Sequence, residues 1–210
     1  MEDVNVIKEY SSSVADEFVE TICVEEGRVW NLARHNERMN RTRRAFWGDD
    51  VSEIRLESWI HPEEYQDRTR CRVVYGEHII KVEYFRYQMR EVHSLKLVAC
   101  DEADYQYKSS DRSQLNMLYE QRGKADDVLI VRNGLLTDTS IANVALFDGS
   151  EWYTPAYPLL KGTCRQLLLD EQKIRERDIA VTELECYTHI ALFNAMIPFG
   201  KLVLETKFIK

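Results

Sequence analysis

The sequence predicts an α+β chain in two lobes, a small α/β lobe over residues 1–104 and a larger lobe over 105–210. Three observations carry this. The first half alternates strand-like runs with one long basic helix. The stretch from Asp101 to Lys108 is polar and breaks the strand pattern. The second half then resumes as short apolar runs joined by the turn signals Asn133-Gly134 and Asp148-Gly149.

Taken in order, Phe18 to Val24 alternates as a strand does, and Glu26-Gly27 marks a turn. Val29 to Leu32 reads as the returning strand. Asn31 to Phe46 reads as a helix with Leu32, His35, Met39, Thr42 and Phe46 near one face. Its other face carries Arg34, Glu37, Arg41 and Arg44, and Arg43 adds to a very basic surface. Cys71–Tyr75 and His78–Tyr84 pair around Gly76-Glu77, and Ser94–Cys100 adds a strand. Beyond the polar break, Ser110–Gln121 is a helix stopped by Gly123. Val128–Val131 is a short buried strand, returning through Asn133-Gly134 into Leu135-Leu136-Thr137. Asn143–Phe147 and Glu151–Tyr153 form a further hairpin. Thr163–Glu171 is a helix, and Ile190–Asn194 and Leu202–Leu204 are the last strands.

Composition narrows the function classes. The net charge of −8 argues against nucleic-acid binding by bulk electrostatics. No apolar run is long enough to span a bilayer, and Met1-Glu2-Asp3-Val4 is acidic where a secretion signal would be basic. The five cysteines are odd in number and scattered, with no C-x-x-C pair, so neither a disulfide framework nor a metal site is favoured. A cytoplasmic protein acting on a small molecule is the expectation.

The stretch from Lys108 to Arg165 holds the chemistry. Lys108 is an amine at the lobe junction, able to condense with an aldehyde if held neutral. Asp138 is a carboxylate that could keep a heterocyclic nitrogen protonated, or equally cap a turn. Gly162-Thr163-Cys164 precedes a helical run, where free N–H groups and the dipole attract an anion; taken alone it is an ordinary helix start. Arg38 offers a guanidinium fork for a phosphate, but spacing does not choose it among Arg34, Arg41, Arg43 and Arg44. Amine, carboxylate and phosphate turn together suit pyridoxal 5′-phosphate.

In combination and in this order, these segments resemble the fold-type IV pyridoxal phosphate enzymes, the class IV aminotransferase family. Phe18-Val19-Glu20-Thr21 is similar to the family's F-E-T strand, and His35-Asn36-Glu37-Arg38-Met39 to its H-x-x-R-[LM]. Lys108-Ser109-Ser110-Asp111-Arg112 resembles K-x-x-N-R, and Thr137-Asp138 through Asn143 resembles T-E-x-x-x-x-N. Tyr153-Thr154-Pro155 and Gly162-Thr163-Cys164-Arg165 complete the set. Phe193 to Pro198 is similar to the C-N-A-L-M-P of the 4-amino-4-deoxychorismate lyase branch, and Asp111-Arg112 after the lysine also leans toward that branch. Three departures stand out. Asp138 replaces a glutamate, Lys161 replaces a proline, and the Gly-rich segment ahead of F-E-T is reduced to Ser11-Ser12-Ser13-Val14, so the N-terminus reads as shortened.

The resemblance implies a two-lobed homodimer of the D-amino acid aminotransferase type. It assigns Lys108 as the covalent anchor and general base, and Asp138 as partner of the ring nitrogen. Arg38 and the amides of Thr163 and Cys164 hold the phosphate, with Gly162, Asn194 and Ala195 also at the cofactor. Arg72 and Arg112 are the substrate-binding candidates. The implied reaction is release of pyruvate and 4-aminobenzoate from 4-amino-4-deoxychorismate. An amino acid aminotransferase is the first alternative, and a non-catalytic ligand-binding homologue the second.

Overall fold

A computed structural model describes residues 16–210; the Ser11–Val14 segment and the acidic start lie outside them. Twelve strands among the described residues form two sheets. The smaller has the order β2-β1-β3-β4, built from β1 (Phe18–Glu25), β2 (Arg28–Val29), β3 (Thr69–Tyr75) and β4 (Ile79–Arg86), all antiparallel. The larger runs in the order β10-β9-β8-β7-β6-β5. Its strands are β5 (Leu95–Ala99), β6 (Asp127–Arg132), β7 (Leu135–Thr139), β8 (Asn143–Phe147), β9 (Trp152–Pro155) and β10 (Arg175–Arg177). On it, β11 (His189–Phe193) adds to β8, and β12 (Leu202–Glu205) adds to β11. The sheets divide between Arg86 and Leu95, upstream of the expected 104/105 break. The reason is that β5 pairs in parallel with β6 over Leu95–Ala99, and the polar stretch that follows is a connection within that lobe.

In β1 the even positions Phe18, Ile22 and Val24 join a core with Met39 of α1 (Leu32–Trp47) and with Cys71, Val73 and Tyr75 of β3. The odd positions Val19 and Thr21 face the cleft. In β6 both faces are apolar because both are covered: Val128 and Ile130 pack against Leu115 and Leu118 of α2 (Ser113–Glu120), while Leu129 and Val131 join the core with Leu136, Val144, Ile190 and Leu192. The Asn133-Gly134 turn has positive φ at both residues, 51° and 76°, as a two-residue hairpin requires.

Four expectations are corrected. The returning strand is only Arg28–Val29, because Asn31 turns into the left-handed region (φ 57°) and α1 starts at once. Helix α2 starts at Ser113 and not Ser110, since the Asp111 carboxylate accepts from the Ser113 amide and the Ser110 amide donates to Glu17 O. Arg43 is fully buried: its guanidinium donates to Glu77 O, Ser52 O and Asn40 Oδ1, tying α1 to the β3–β4 turn. Phe46, expected among the buried face, is 40% exposed. No helix among the described residues is long and apolar enough to cross a membrane.

Candidate active site

A cleft of about 430 Å³ lies between the two sheets. All ten residues singled out from the sequence line it: Arg38, Arg72, Lys108, Arg112, Asp138, Gly162, Thr163, Cys164, Asn194 and Ala195.

Lys108 is held by the edge of β1. The Val19 amide donates to Lys108 O (2.8 Å), the Ser110 amide donates to Glu17 O (2.8 Å), and the Tyr105 hydroxyl donates to Ser109 O (2.7 Å). The backbone is thus fixed on both sides of the lysine. Burial pushes its amine down to about 7, and the nearby Arg38 guanidinium adds to the effect. A lysine there is substantially neutral near pH 7, as a nucleophile must be.

Asp138 sits inside β7, opposite Asn143 of β8. Its Oδ1 accepts from Asn143 Nδ2 (2.8 Å) and its Oδ2 from the Leu160 amide (2.9 Å). Burial pushes its carboxyl up to about 6, with the Leu160 amide and Asn143 pulling the other way. It caps no turn; the turn chemistry belongs to Thr139, whose Oγ1 accepts from the amides of Ile141 and Ala142.

The anion cradle is formed where α3 (Thr163–Asp170) begins. Its first amides have no carbonyl one turn earlier to bond. Burial pushes the Cys164 thiol up to about 11, so it stays neutral beside an anion. Gly162 is required by proximity, since a Cβ there would lie 2.0 Å from Asn143 Oδ1. Gly162→Ala should therefore shift Asn143, and with it the support of Asp138. Overpacking of this kind costs about 1–3 kcal/mol. A lower melting temperature and weaker cofactor binding are expected; a variant unchanged in both would contradict the close approach.

Arg38 is the arginine of α1 that reaches the cleft. Its Nε and Nη2 donate to the two oxygens of Glu20 at 2.8 and 2.5 Å; Nη1 takes no part in these bonds. Glu20 is fully buried and also accepts from His35 Nδ1 at 2.5 Å. Burial drives the Glu20 carboxyl up, but the Arg38 guanidinium and His35 outweigh it and hold the group at about 2. Arg70, Arg72, Arg90 and Arg112 also line the cleft, whereas among the described residues Asp138 is its one lining carboxylate. Arg72 pairs with Glu83 (3.0 Å), and Arg112 donates to Ser140 O (2.7 Å). Asn194 Oδ1 accepts from the amides of Met196 and Ile197, shaping a turn that lines the cleft.

Sequence reasoning missed Glu20 and Asn143 as parts of the site. Glu20 left a signal: it shares the parity of Phe18, Ile22 and Val24 in β1, so strand alternation alone puts a carboxylate on the buried face. A buried charge needs a partner, and Arg38 is that partner.

The sequence profile of the amino-transferase class IV family matches residues 17–201. The chain belongs to that family. An uncharacterized protein of Haemophilus influenzae is 39% identical over 180 residues, 84% of this chain and 96% of its own length. The crystal structure of a candidate 4-amino-4-deoxychorismate lyase from Haemophilus somnus is 33% identical, with a TM-score of 0.81, over 89% of this chain and 100% of that one. A hypothetical aminotransferase from Mycobacterium tuberculosis, in its pyridoxal phosphate-bound form, shares the fold at 19% identity, with a TM-score of 0.74, over 96% of this chain and 86% of that one. The class IV aminotransferases and their lyase relatives are pyridoxal phosphate enzymes, and this chain is one of them. The residues present fit the cofactor: a buried amine with a lowered pKa, a free helix N-terminus, and a buried guanidinium face one cleft.

Proposed function

We propose that this enzyme is a lyase that cleaves 4-amino-4-deoxychorismate to 4-aminobenzoate and pyruvate. The observation that carries the reading is the four arginines besides Arg38 that line the cleft, in a chain whose net charge is −8. Cations gathered in one cleft of an acidic protein suit a substrate with more than one carboxylate, and this substrate has two. The Haemophilus somnus structure, named for this lyase activity, supports the choice.

When bound, the cofactor supplies an electron sink for the substrate carbon joined to it through nitrogen. Arg38 and the amides of Thr163 and Cys164 would hold its phosphate. Asp138 would hold a proton at its ring nitrogen. The neutral Lys108 amine takes the proton from C4, the carbon bearing the substrate amine. The C3–O bond then breaks, the ring becomes aromatic, and the side chain leaves as enolpyruvate, which takes a proton at its methylene carbon to become pyruvate. Arg72 and Arg112 orient the carboxylates. The enzyme works as a cytoplasmic homodimer in this reading, and sedimentation of the purified protein tests the dimer.

Incubating the cofactor-loaded protein with 4-amino-4-deoxychorismate should release 4-aminobenzoate and pyruvate in equal amounts. Amine transfer to a keto acid without 4-aminobenzoate would instead make it an aminotransferase. Visible absorbance from added pyridoxal phosphate with neither activity would make it a binding homologue.

Arg38→Ala should weaken cofactor binding roughly ten- to a hundredfold, the equivalent of one charge-assisted contact worth about 1.5–3 kcal/mol. It should also lower the melting temperature, because Glu20 loses its bidentate partner. Arg41→Ala should change neither: among the described residues Arg41 makes only a long surface pair with Glu37, 3.8 Å. Equal losses from both substitutions would mean a diffuse basic face.

A further inference from the structure

Glu20 does more than accept from Arg38. Its second partner, His35, has its other ring nitrogen, Nε2, 3.2 Å from the hydroxyl of Thr163. Glu20 and His35 are fully buried and Thr163 nearly so. The three come from β1, α1 and α3, and the last link joins residues 128 apart in sequence. The direction of the bonds follows from the chemistry. An ionised Glu20 only accepts, so His35 Nδ1 carries the proton. Burial disfavours a second proton on the ring, although Glu20 pulls the other way and Arg38 and Lys108 add to the burial effect. Nε2 is then bare, and the Thr163 hydroxyl donates to it. Asn31 reinforces the joint: its side chain caps no helix and instead donates to Thr163 O at 2.9 Å. The Arg34–Asp170 ion pair closes the same α1–α3 face.

We infer that Glu20, His35 and the Thr163 hydroxyl form a positioning relay that sets the phosphate cradle. One arm aims the Arg38 guanidinium, and the other fixes the first turn of α3, so one carboxylate on the small sheet registers both halves of the anion site. The hydroxyl proton of Thr163 is committed to His35, so Thr163 serves the phosphate through its amide. Ser or Val at position 163 would leave that amide in place, and only the relay would change.

The inference rests on the cofactor reading above, and its test separates the two. Thr163→Val keeps the shape and removes the hydroxyl. It should weaken binding of pyridoxal phosphate, and of inorganic phosphate alone, by about three- to tenfold, the equivalent of one net hydrogen bond. Binding of unphosphorylated pyridoxal, which reads Lys108 without the cradle, should not change. Thr163→Ser should restore the phosphate affinities. In a His35→Phe background, Thr163→Val should cost nothing further, because the bond it deletes is already gone. Equal losses for pyridoxal and pyridoxal phosphate would mean general loosening and would overturn the relay, as would no loss for either, or failure of Thr163→Ser to rescue. If His35→Phe does not fold, the Val and Ser comparison decides alone. Wild-type protein that binds phosphate but takes up no pyridoxal phosphate overturns the cofactor reading and leaves the relay standing; protein that binds neither overturns both.

Discussion

Lys108→Ala should give a folded protein that binds pyridoxal phosphate only reversibly and has lost turnover. In the proposed mechanism the substitution removes both the covalent anchor and the base at C4. Loss of a positioned base alone costs about a hundred- to ten-thousandfold. Borohydride reduction of the wild type followed by peptide mapping should label Lys108, and the variant should take no label. Label on another lysine would sink the assignment of the central motif. The fold should survive because the bonds that pin this segment to β1 are made by the backbone of Lys108 and Ser110. A pH series sharpens the result. Only the neutral amine captures an aldehyde, so the capture rate by cofactor-free protein should rise with pH and level off above about 7, where the lowered pKa places the transition. An ordinary lysine would keep gaining up to roughly pH 10. A rate still climbing well above neutrality would show that the amine is not held in the buried environment described.

The parts of this fold that were legible in the sequence are those fixed by local rules. The Asn133-Gly134 turn, the alternation of β1 and the glycine stop after α2 follow from backbone preference and periodicity, and each stands where it was read. The ordered motif also brought ten separate residues to one cleft. What could not be read depended on partners distant in sequence. The lobe division moved because β5 has its partner in β6, beyond the polar stretch. Arg43 looked like one more solvated arginine, since only the folded chain brings Glu77 O and Ser52 O to its guanidinium. Asn143 looked like a motif letter, yet it donates to both Asp138 and Leu160 O and forces a glycine at 162. Choosing Arg38 from a row of arginines needed Glu20, and that carboxylate was visible in the strand's parity.

Asp138 is where this chain departs most sharply from the family's T-E-x-x-x-x-N motif, and the structure decides which way its variants should go. Asp138→Asn should leave the Lys108 bond to the cofactor in place and slow turnover by about a hundredfold or more, the scale of losing one preorganised electrostatic partner. The amide cannot balance a positive ring nitrogen. It would also set an NH₂ group against one of two donors, Asn143 Nδ2 or the Leu160 amide, and so strain a buried contact. Asp138→Glu tests reach. If the backbone stood where the family's does, the longer side chain would keep or raise activity. Here both oxygens of the aspartate already have donors at 2.8 and 2.9 Å, in a pocket where the residue is only 5% exposed. An added methylene would displace one of those contacts at a cost of about 1–3 kcal/mol. Asp138→Glu should therefore be less stable and less active than the wild type, although it restores the family's residue. Because burial holds the Asp138 carboxyl near 6, it is ionised above that pH and neutral below. Wild-type activity should then fall as the pH drops through 6. Full activity in Asp138→Asn would reduce Asp138 to a strand-pairing residue. Gain of activity in Asp138→Glu would place the β7–β8 backbone farther from the ring nitrogen than its hydrogen bonds imply.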